Sequence, residues 1–212
     1  METGTALWSF ALVVGLLTIT PGLDTALVLR TSAVGHRRRA WGVVLGIQAG
    51  TFAWGALTSL GVTALLTASH VAYEVLRWAG AAYLVLMGVR MLADTLRRRV
   101  PAVADDDEAA LGADSLPAGF RQGALTNLLN PKVGAFYVAV LPQFIPPGAG
   151  QFTTGVLLTS VHVALGLSWS TALIACARAL RTWLRRPGAR RLMDRATGTV
   201  IAGFGIRLAL SD

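Results

Sequence analysis

The sequence predicts an all-α integral membrane protein with six transmembrane helices, and composition and charge placement carry that prediction. Of its 212 residues, 54% are hydrophobic and only 14% are charged, whereas soluble domains are roughly 25% charged. Stretches of about 20 nearly uncharged residues, long enough to cross hydrocarbon as helix, alternate with short clusters of arginine. A chain of this length cannot surround several such helices with a soluble shell, so the helices are expected to lie in lipid.

The six predicted spans are residues 6–29, 41–66, 71–91, 132–147, 152–177 and 196–210. The first is interpreted as a retained span rather than a signal peptide, because Glu2 precedes it and the arginines follow it. The fourth and sixth are short. The semi-polar residues 118–129 ahead of the fourth span are expected to form a re-entrant or partial helix.

Arginine clusters predict the orientation of the spans. They follow spans one, three and five, at residues 30–39, 97–99 and 178–191, while the connections after spans two and four hold no Lys or Arg. Because cytoplasmic loops collect basic residues, both termini are predicted outside. The net charge of +8 and pI near 11.2 therefore reflect topology, and no nucleic-acid partner is expected. A single cysteine, Cys176, excludes an intrachain disulfide and paired-thiol chemistry.

Three short motifs recur in order and predict two inverted three-helix repeats. The pairs are residues 20–21 with 130–131, 42–45 with 155–158, and 77–90 with 195–207. An odd number of spans per copy inverts the second copy, which is the plan of many secondary transporters. The predicted organisation is a first repeat at 1–96, a cytoplasmic linker at 97–118 and a second repeat at 119–212. Chance agreement in Gly-rich apolar sequence is the alternative.

Two proline motifs predict broken helices in the first and fourth spans. Thr20 precedes Pro21 and Gly22, which is the pattern of a helix start: a hydroxyl N-cap and a residue that needs no N–H partner. Asn130 precedes Pro131 in the same way. Such breaks aim half-helix N-termini, with partial positive charge, at the bundle centre, where they can hold a carboxylate. An ordinary proline kink is the alternative at each position alone.

Asp24 and Lys132 follow these prolines and are the strongest functional candidates. A charge at mid-bilayer costs about 2.5–3.5 kcal/mol even on the lenient insertion scale, so each is expected to have a partner. Either the two side chains pair with each other, or Asp24 binds a substrate ammonium or a coupling proton. For Lys132 the alternative is a side chain that snorkels to the interface.

Further polar residues complete the predicted site. The substrate-binding set is Thr20, Pro21, Gly22, Asp24, Gln48, Asn127, Asn130, Pro131 and Lys132. His162 titrates in the physiological range and joins Asp24 as a candidate for proton coupling; an interhelical hydrogen bond is the alternative for His162 and Gln48. Glycines every fourth residue at 42, 46 and 50 form a small-residue ridge. Packing within the bundle is the default expectation for this ridge, and a homodimer seam is the alternative.

Several of these motifs together resemble a known family. They are residues 20–24, the basic turn 35–42, the run 127–132 with Phe136, and the run 141–144. The chain resembles the LysE/RhtB family of bacterial amino-acid exporters over nearly its whole length. The resemblance implies efflux of amino acids or their derivatives across the bacterial inner membrane, driven by a proton or membrane gradient. It points to Pro21, Gly22, Asp24, Asn130, Pro131 and Lys132, while Leu23 stands where the family has proline, so the first break is expected to be softer.

Other functions stay open at this point. Efflux of another small cation, such as a polyamine or a metal, is the alternative within transport, although one Cys and three His argue against a soft-metal site. A membrane enzyme or redox carrier would need a nucleophile beside a base or a carboxylate cluster, and the sequence shows neither. A non-transporting accessory membrane protein leaves Asp24 unexplained. The sequence therefore predicts a transporter that is not an enzyme and needs no cofactor or resident metal.

Overall fold

The computed structural model describes residues 3–33, 35–68, 70–96, 114–146 and 148–177, with scattered residues between 188 and 210. The helices are α1 (Thr3–Ile19), α2 (Leu23–Ala33), α3 (Arg37–Ala68), α4 (His70–Leu96), α5 (Leu116–Leu128), α6 (Pro131–Val140) and α7 (Gln151–Ala175). A 3-10 turn, Leu141–Phe144, follows α6. The predicted all-α class is confirmed.

Apolar helices long enough to cross a membrane are present within the described residues. They are α3, over Arg37–Gly61, and α7, over Gln151–Ala175. The pair of α1 and α2 adds a third passage if this bent pair is one span. Helix α4 covers the predicted third span. The predicted sixth span and most of the predicted linker lie outside the described residues, so the arrangement of six spans stays a prediction.

The first span is broken where the sequence predicts. Helix α1 ends at Ile19, α2 begins at Leu23, and their axes differ by 53°. The predicted N-cap position of Thr20 is wrong, because α2 begins only at Leu23; the Thr20 hydroxyl donates to Leu16 O, in the last turn of α1, at 2.7 Å. Helix α2 starts only after Gly22, whose carbonyl accepts from Ala26 N at 2.9 Å.

The second break follows the predicted helix-start pattern. Asn130 caps α6, with Oδ1 accepting from Lys132 N at 3.1 Å, and Pro131 is the first helical residue. The polar stretch ahead of it is the 13-residue helix α5, a fuller element than the predicted partial helix. The predicted fourth span, 132–147, is α-helical only to Val140. The span was predicted from the length of the uncharged stretch, which left out the polar helix α5 directly ahead of α6.

Helix α3 and the two-part segment α5–α6 run side by side in the same direction. Early in the contact, Gly42 lies against the backbone of Leu116 and Phe120, and further along Gly50 lies against Asn127. Beyond the break, Gly134 of α6 packs on the Trp54 ring. The glycine ridge of α3 is therefore used inside the chain, as the packing interpretation predicts.

Helices α3 and α7 cross antiparallel with reciprocal contacts. A Cβ on Gly55 would meet Thr159 Oγ1, and a Cβ on Gly155 would meet Ser59 Oγ. Each helix thus offers one glycine to a hydroxyl of the other, four residues from its own hydroxyl. These contacts pair Gly55 with Gly155, whereas the predicted repeat pairs residues 42–45 with 155–158, so the repeat stays a prediction.

The contact between α3 and α5 allows a test of the packing. Gly46→Ala is expected to destabilise the protein by about 1–3 kcal/mol, the usual cost of overpacking, because the new methyl would strike the Phe120 carbonyl. Gly15→Ala in α1 is the matched control, since nothing lies within 4 Å of its Cβ position. Thermal unfolding in detergent measures both, and equal melting temperatures for the two variants would contradict the packing.

Candidate functional site

A polar cavity of about 70 Å³ lies where the two helix breaks meet. Eight of the ten residues predicted from sequence line it: Thr20, Gly22, Asp24, Gln48, Asn127, Asn130, Lys132 and His162. The other two, Pro21 and Pro131, lie in the breaks themselves. The cavity has room for several waters, and its polar lining groups come from six helices and both breaks.

Two apolar clusters flank this cavity. The first packs the buried residues of α1, α6 and the 3-10 turn, with Leu158 of α7, and its Leu17 and Val133 also line the cavity. The second consists of Val28, Leu29, Val43, Val44, Ile47 and Leu173. Three of these, Val28, Ile47 and Leu173, line the cavity as well. The cavity is therefore a polar layer between two apolar ones, so a polar solute finds its partners in this layer.

Asp24 supplies an available acceptor to the cavity. Its Oδ2 accepts from Asn127 Nδ2 at 2.8 Å, whereas its Oδ1 is buried and has no hydrogen-bond partner among the residues that the structure describes. The Asp24 carboxylate also interacts with the Asn130 side-chain amide and, through charge, with the Lys132 ammonium. The first turn of α2 holds Asp24, where the helix dipole favours a negative charge. A carboxylate oxygen left without a donor is suited to accept from an ammonium group.

Lys132 crosses from the second break to the first. Its Nζ donates to Leu17 O at 3.3 Å, in the last turn of α1, and lies 4.0 Å from the Cβ position of Gly22. A cation is favourable at the carboxyl end of a helix. Asp24 of the first half thus bonds to the second half, and Lys132 of the second half bonds to the first. The two breaks are tied together through their ionisable residues.

Two glycines make room for the amides of the site. A Cβ on Gly166 would lie 2.7 Å from Gln48 Oε1, and a Cβ on Gly50 would lie 2.7 Å from Asn127 Oδ1. Both amides therefore lie directly over a bare stretch of helix backbone. Any larger residue at either glycine would push a polar group of the lining out of place.

His162 is held between α6 and α7. Its Nδ1 shares a hydrogen bond of 2.9 Å with the Tyr137 hydroxyl, and the two rings stack at 5.7 Å with an interplanar angle of 16°. Phe136 packs edge-on against the same imidazole. The interhelical hydrogen bond considered as an alternative is therefore present. His162 also lines the cavity, so it belongs to the candidate site, and its role in proton coupling stays a prediction.

Five further polar residues, none of them predicted from the sequence, also line the cavity: Thr18, Thr25, Thr51, Trp169 and Ser170. Helical periodicity would have found two of them, because Trp169 and Ser170 follow His162 at i+7 and i+8 on one face of α7. Thr51 likewise follows Gln48 at i+3 on α3. These residues share a helix face with His162 or Gln48, so helical spacing from those two residues predicts them.

An apolar helical bundle with a polar layer, an acid and a base at two helix breaks defines a membrane translocator. The chain belongs to the LysE type translocator family, whose sequence profile it matches over residues 15–212. The family assignment makes it a transporter rather than an enzyme. No solved structure matches the chain.

Named relatives match nearly the whole chain. A homoserine/homoserine lactone efflux protein of Salmonella typhi is 28% identical over 204 residues, covering 95% of this chain and 96% of its own. A threonine efflux protein of Escherichia coli K12 is 31% identical over 197 residues, covering 91% and 92%. The membrane protein YrhP of Bacillus subtilis, described as uncharacterised, is 26% identical over 211 residues, covering 97% and 99%.

Proposed function

We propose that this protein exports zwitterionic amino acids or their derivatives across the bacterial inner membrane. One observation carries the proposal: a single cavity holds the Lys132 ammonium and an Asp24 oxygen that has no hydrogen-bond partner among the described residues, beside the N-terminus of α6. These groups are complementary to an ammonium and a carboxylate on one small molecule. The names of the relatives, which export threonine and homoserine, support this substrate class.

In this proposal, the arginines and the apolar clusters give the orientation of the chain in the membrane. The arginines at residues 37–39 begin α3 and mark the cytoplasmic side, so both termini lie outside. In this proposal the two halves, each with one broken helix at the cavity, are inverted repeats that rock about it. The second apolar cluster then separates the cavity from the cytoplasm, and the first separates it from the outside.

The driving force in this proposal is a proton or membrane gradient. Asp24 is the first coupling group, because a carboxylate that binds the substrate ammonium can bind a proton in its place. His162 is the second, since it lines the same cavity and is hydrogen-bonded to Tyr137. A proton that enters from outside and displaces the substrate ammonium from Asp24 would couple proton entry to export.

Counterflow in proteoliposomes tests the proposed function. Vesicles loaded with threonine, homoserine, alanine, leucine, lysine or putrescine are diluted into a radiolabelled trace of the same compound. Accumulation of neutral amino acids, with little of putrescine, is the expected result. Accumulation of putrescine alone would move the function to cation efflux, and no accumulation of any compound would indicate an accessory membrane protein.

Proton coupling yields a separate prediction at His162. A His162→Gln variant is expected to keep counterflow, which needs no net proton movement, and to lose the pH dependence of gradient-driven transport. The measurement compares both modes in the same vesicles over a series of pH values. An unchanged pH profile would remove His162 from the coupling and leave Asp24 alone.

A further inference from the structure

The indole of Trp169 is a hydrogen-bond donor at the cavity that the described protein does not use. Trp169 lines the cavity, and its Nε1 is buried without a hydrogen-bond partner in the described part of the chain. An indole nitrogen donates and cannot accept, and buried donors in native proteins nearly always have a partner. Because Trp169 lines the cavity, an acceptor that occupies the cavity would satisfy this donor.

The position of Trp169 separates it from the charged groups of the site. On α7, Gly166 meets Gln48, and Trp169 follows within one turn, packed against the second apolar cluster. Lys132 instead reaches Leu17, a residue of the first apolar cluster. Ser170 lies beside Trp169 in the cavity lining. Lys132 and the indole thus lie toward different apolar clusters at the cavity.

We propose that Trp169 Nε1 donates a hydrogen bond to an oxygen atom in the side chain of the transported amino acid. This inference rests on the proposed function: with the ammonium at Asp24 and the carboxylate at Lys132, the substrate side chain points toward Trp169. An amino acid with a hydroxyl or carbonyl side chain satisfies the indole, whereas an aliphatic one of the same shape leaves it unpaired. Sites built to bond a substrate oxygen discriminate against analogues that lack it.

Trp54 provides a matched control for this residue. Its Nε1 is also buried without a partner within the described ranges. The Trp54 ring, however, packs on Gly134 and against the first apolar cluster, away from the cavity lining. Replacing either tryptophan with phenylalanine removes one indole N–H from the same membrane bundle. The substrate oxygen is within reach of Trp169 alone of these two.

The test measures initial counterflow rates of threonine and valine, which differ by a hydroxyl for a methyl group, in wild type, Trp169→Phe and Trp54→Phe. The wild type is expected to favour threonine. Trp169→Phe is expected to lose about three- to tenfold of that preference, the range of one neutral hydrogen bond, through slower threonine transport at an unchanged valine rate. Trp54→Phe is expected to keep the wild-type ratio.

The other outcomes overturn the inference in distinguishable ways. If wild type moves threonine and valine equally, or if Trp169→Phe keeps the wild-type ratio, Trp169 does not select oxygen while the proposed function stands. A Trp169→Phe protein that inserts but moves neither amino acid also overturns it, because loss of one donor cannot stop valine. If wild type moves no amino acid at all, the proposed function itself fails.

Discussion

Asp24→Asn is expected to lower amino-acid counterflow by at least about 100-fold while the protein inserts and purifies normally. The variant keeps the shape of the side chain and an oxygen for Asn127 Nδ2, whose bond to Asp24 is 2.8 Å long. What it removes is the charge that binds the substrate ammonium. A hydrogen bond to a charged group contributes about 1.5–3 kcal/mol, and a roughly 100-fold loss lies near the upper end of that range.

Asp114→Asn is the matched control for this result. Asp114 lies outside the cavity, is exposed, and accepts through Oδ1 from the backbone N of Arg39 in the first turn of α3. Asparagine retains such an oxygen, so counterflow is expected to stay within about twofold, because surface substitutions seldom cost more than about 0.5 kcal/mol. Transport by Asp24→Asn at the rate of Asp114→Asn would remove Asp24 from the site.

Lys132→Gln is expected to reduce counterflow by at least about 30-fold. Two losses combine: the substrate carboxylate loses its cation, and Leu17 O at the end of α1 loses the charged donor that now lies 3.3 Å away. Glutamine can still offer a neutral N–H to that carbonyl, so the protein is expected to fold. The readout is the initial counterflow rate of threonine, normalised to the amount of inserted protein.

The double variant Asp24→Asn with Lys132→Gln distinguishes one shared substrate from two independent roles. Residues that act on the same bound molecule give strongly non-additive effects. The double variant is therefore expected to be about as inactive as the worse single variant. Multiplied losses would contradict a common site and would favour separate structural roles for the two charges.

The two helix breaks and eight of the residues that line the cavity were predictable from sequence, because each rests on a local rule. Proline after Thr20 and after Asn130 cannot continue a helix, so both breaks followed from these residues alone. An aspartate within an apolar span needs a polar partner, and the second break, with Lys132, offers one in the sequence. The family profile, matched over residues 15–212, agrees with the family that these motifs resemble.

Other features depended on tertiary contacts that local rules do not report. Thr20 and Asn130 stand in the same sequence context, yet Thr20 bonds back to Leu16 O while Asn130 caps α6. The semi-polar residues 118–129 predicted only a re-entrant or partial helix, whereas α5 is a full helix packed closely on the glycines of α3. Trp169 reads as an ordinary apolar residue unless the helical face of His162 is followed two turns onward, and in the structure it lines the cavity.

Substrate binding measured against matched analogues tests most directly whether Asp24 and Lys132 hold the two ends of one molecule. Threonine, its methyl ester and its N-acetyl derivative are titrated into wild type, Lys132→Gln and Asp24→Asn in detergent. Blocking the carboxylate is predicted to weaken wild-type binding at least about tenfold and Lys132→Gln binding hardly at all. Acetylating the amine is predicted to weaken wild-type binding at least about tenfold and Asp24→Asn binding hardly at all. If each blocked analogue loses as much affinity for the variants as for wild type, the two residues do not bind the substrate charges.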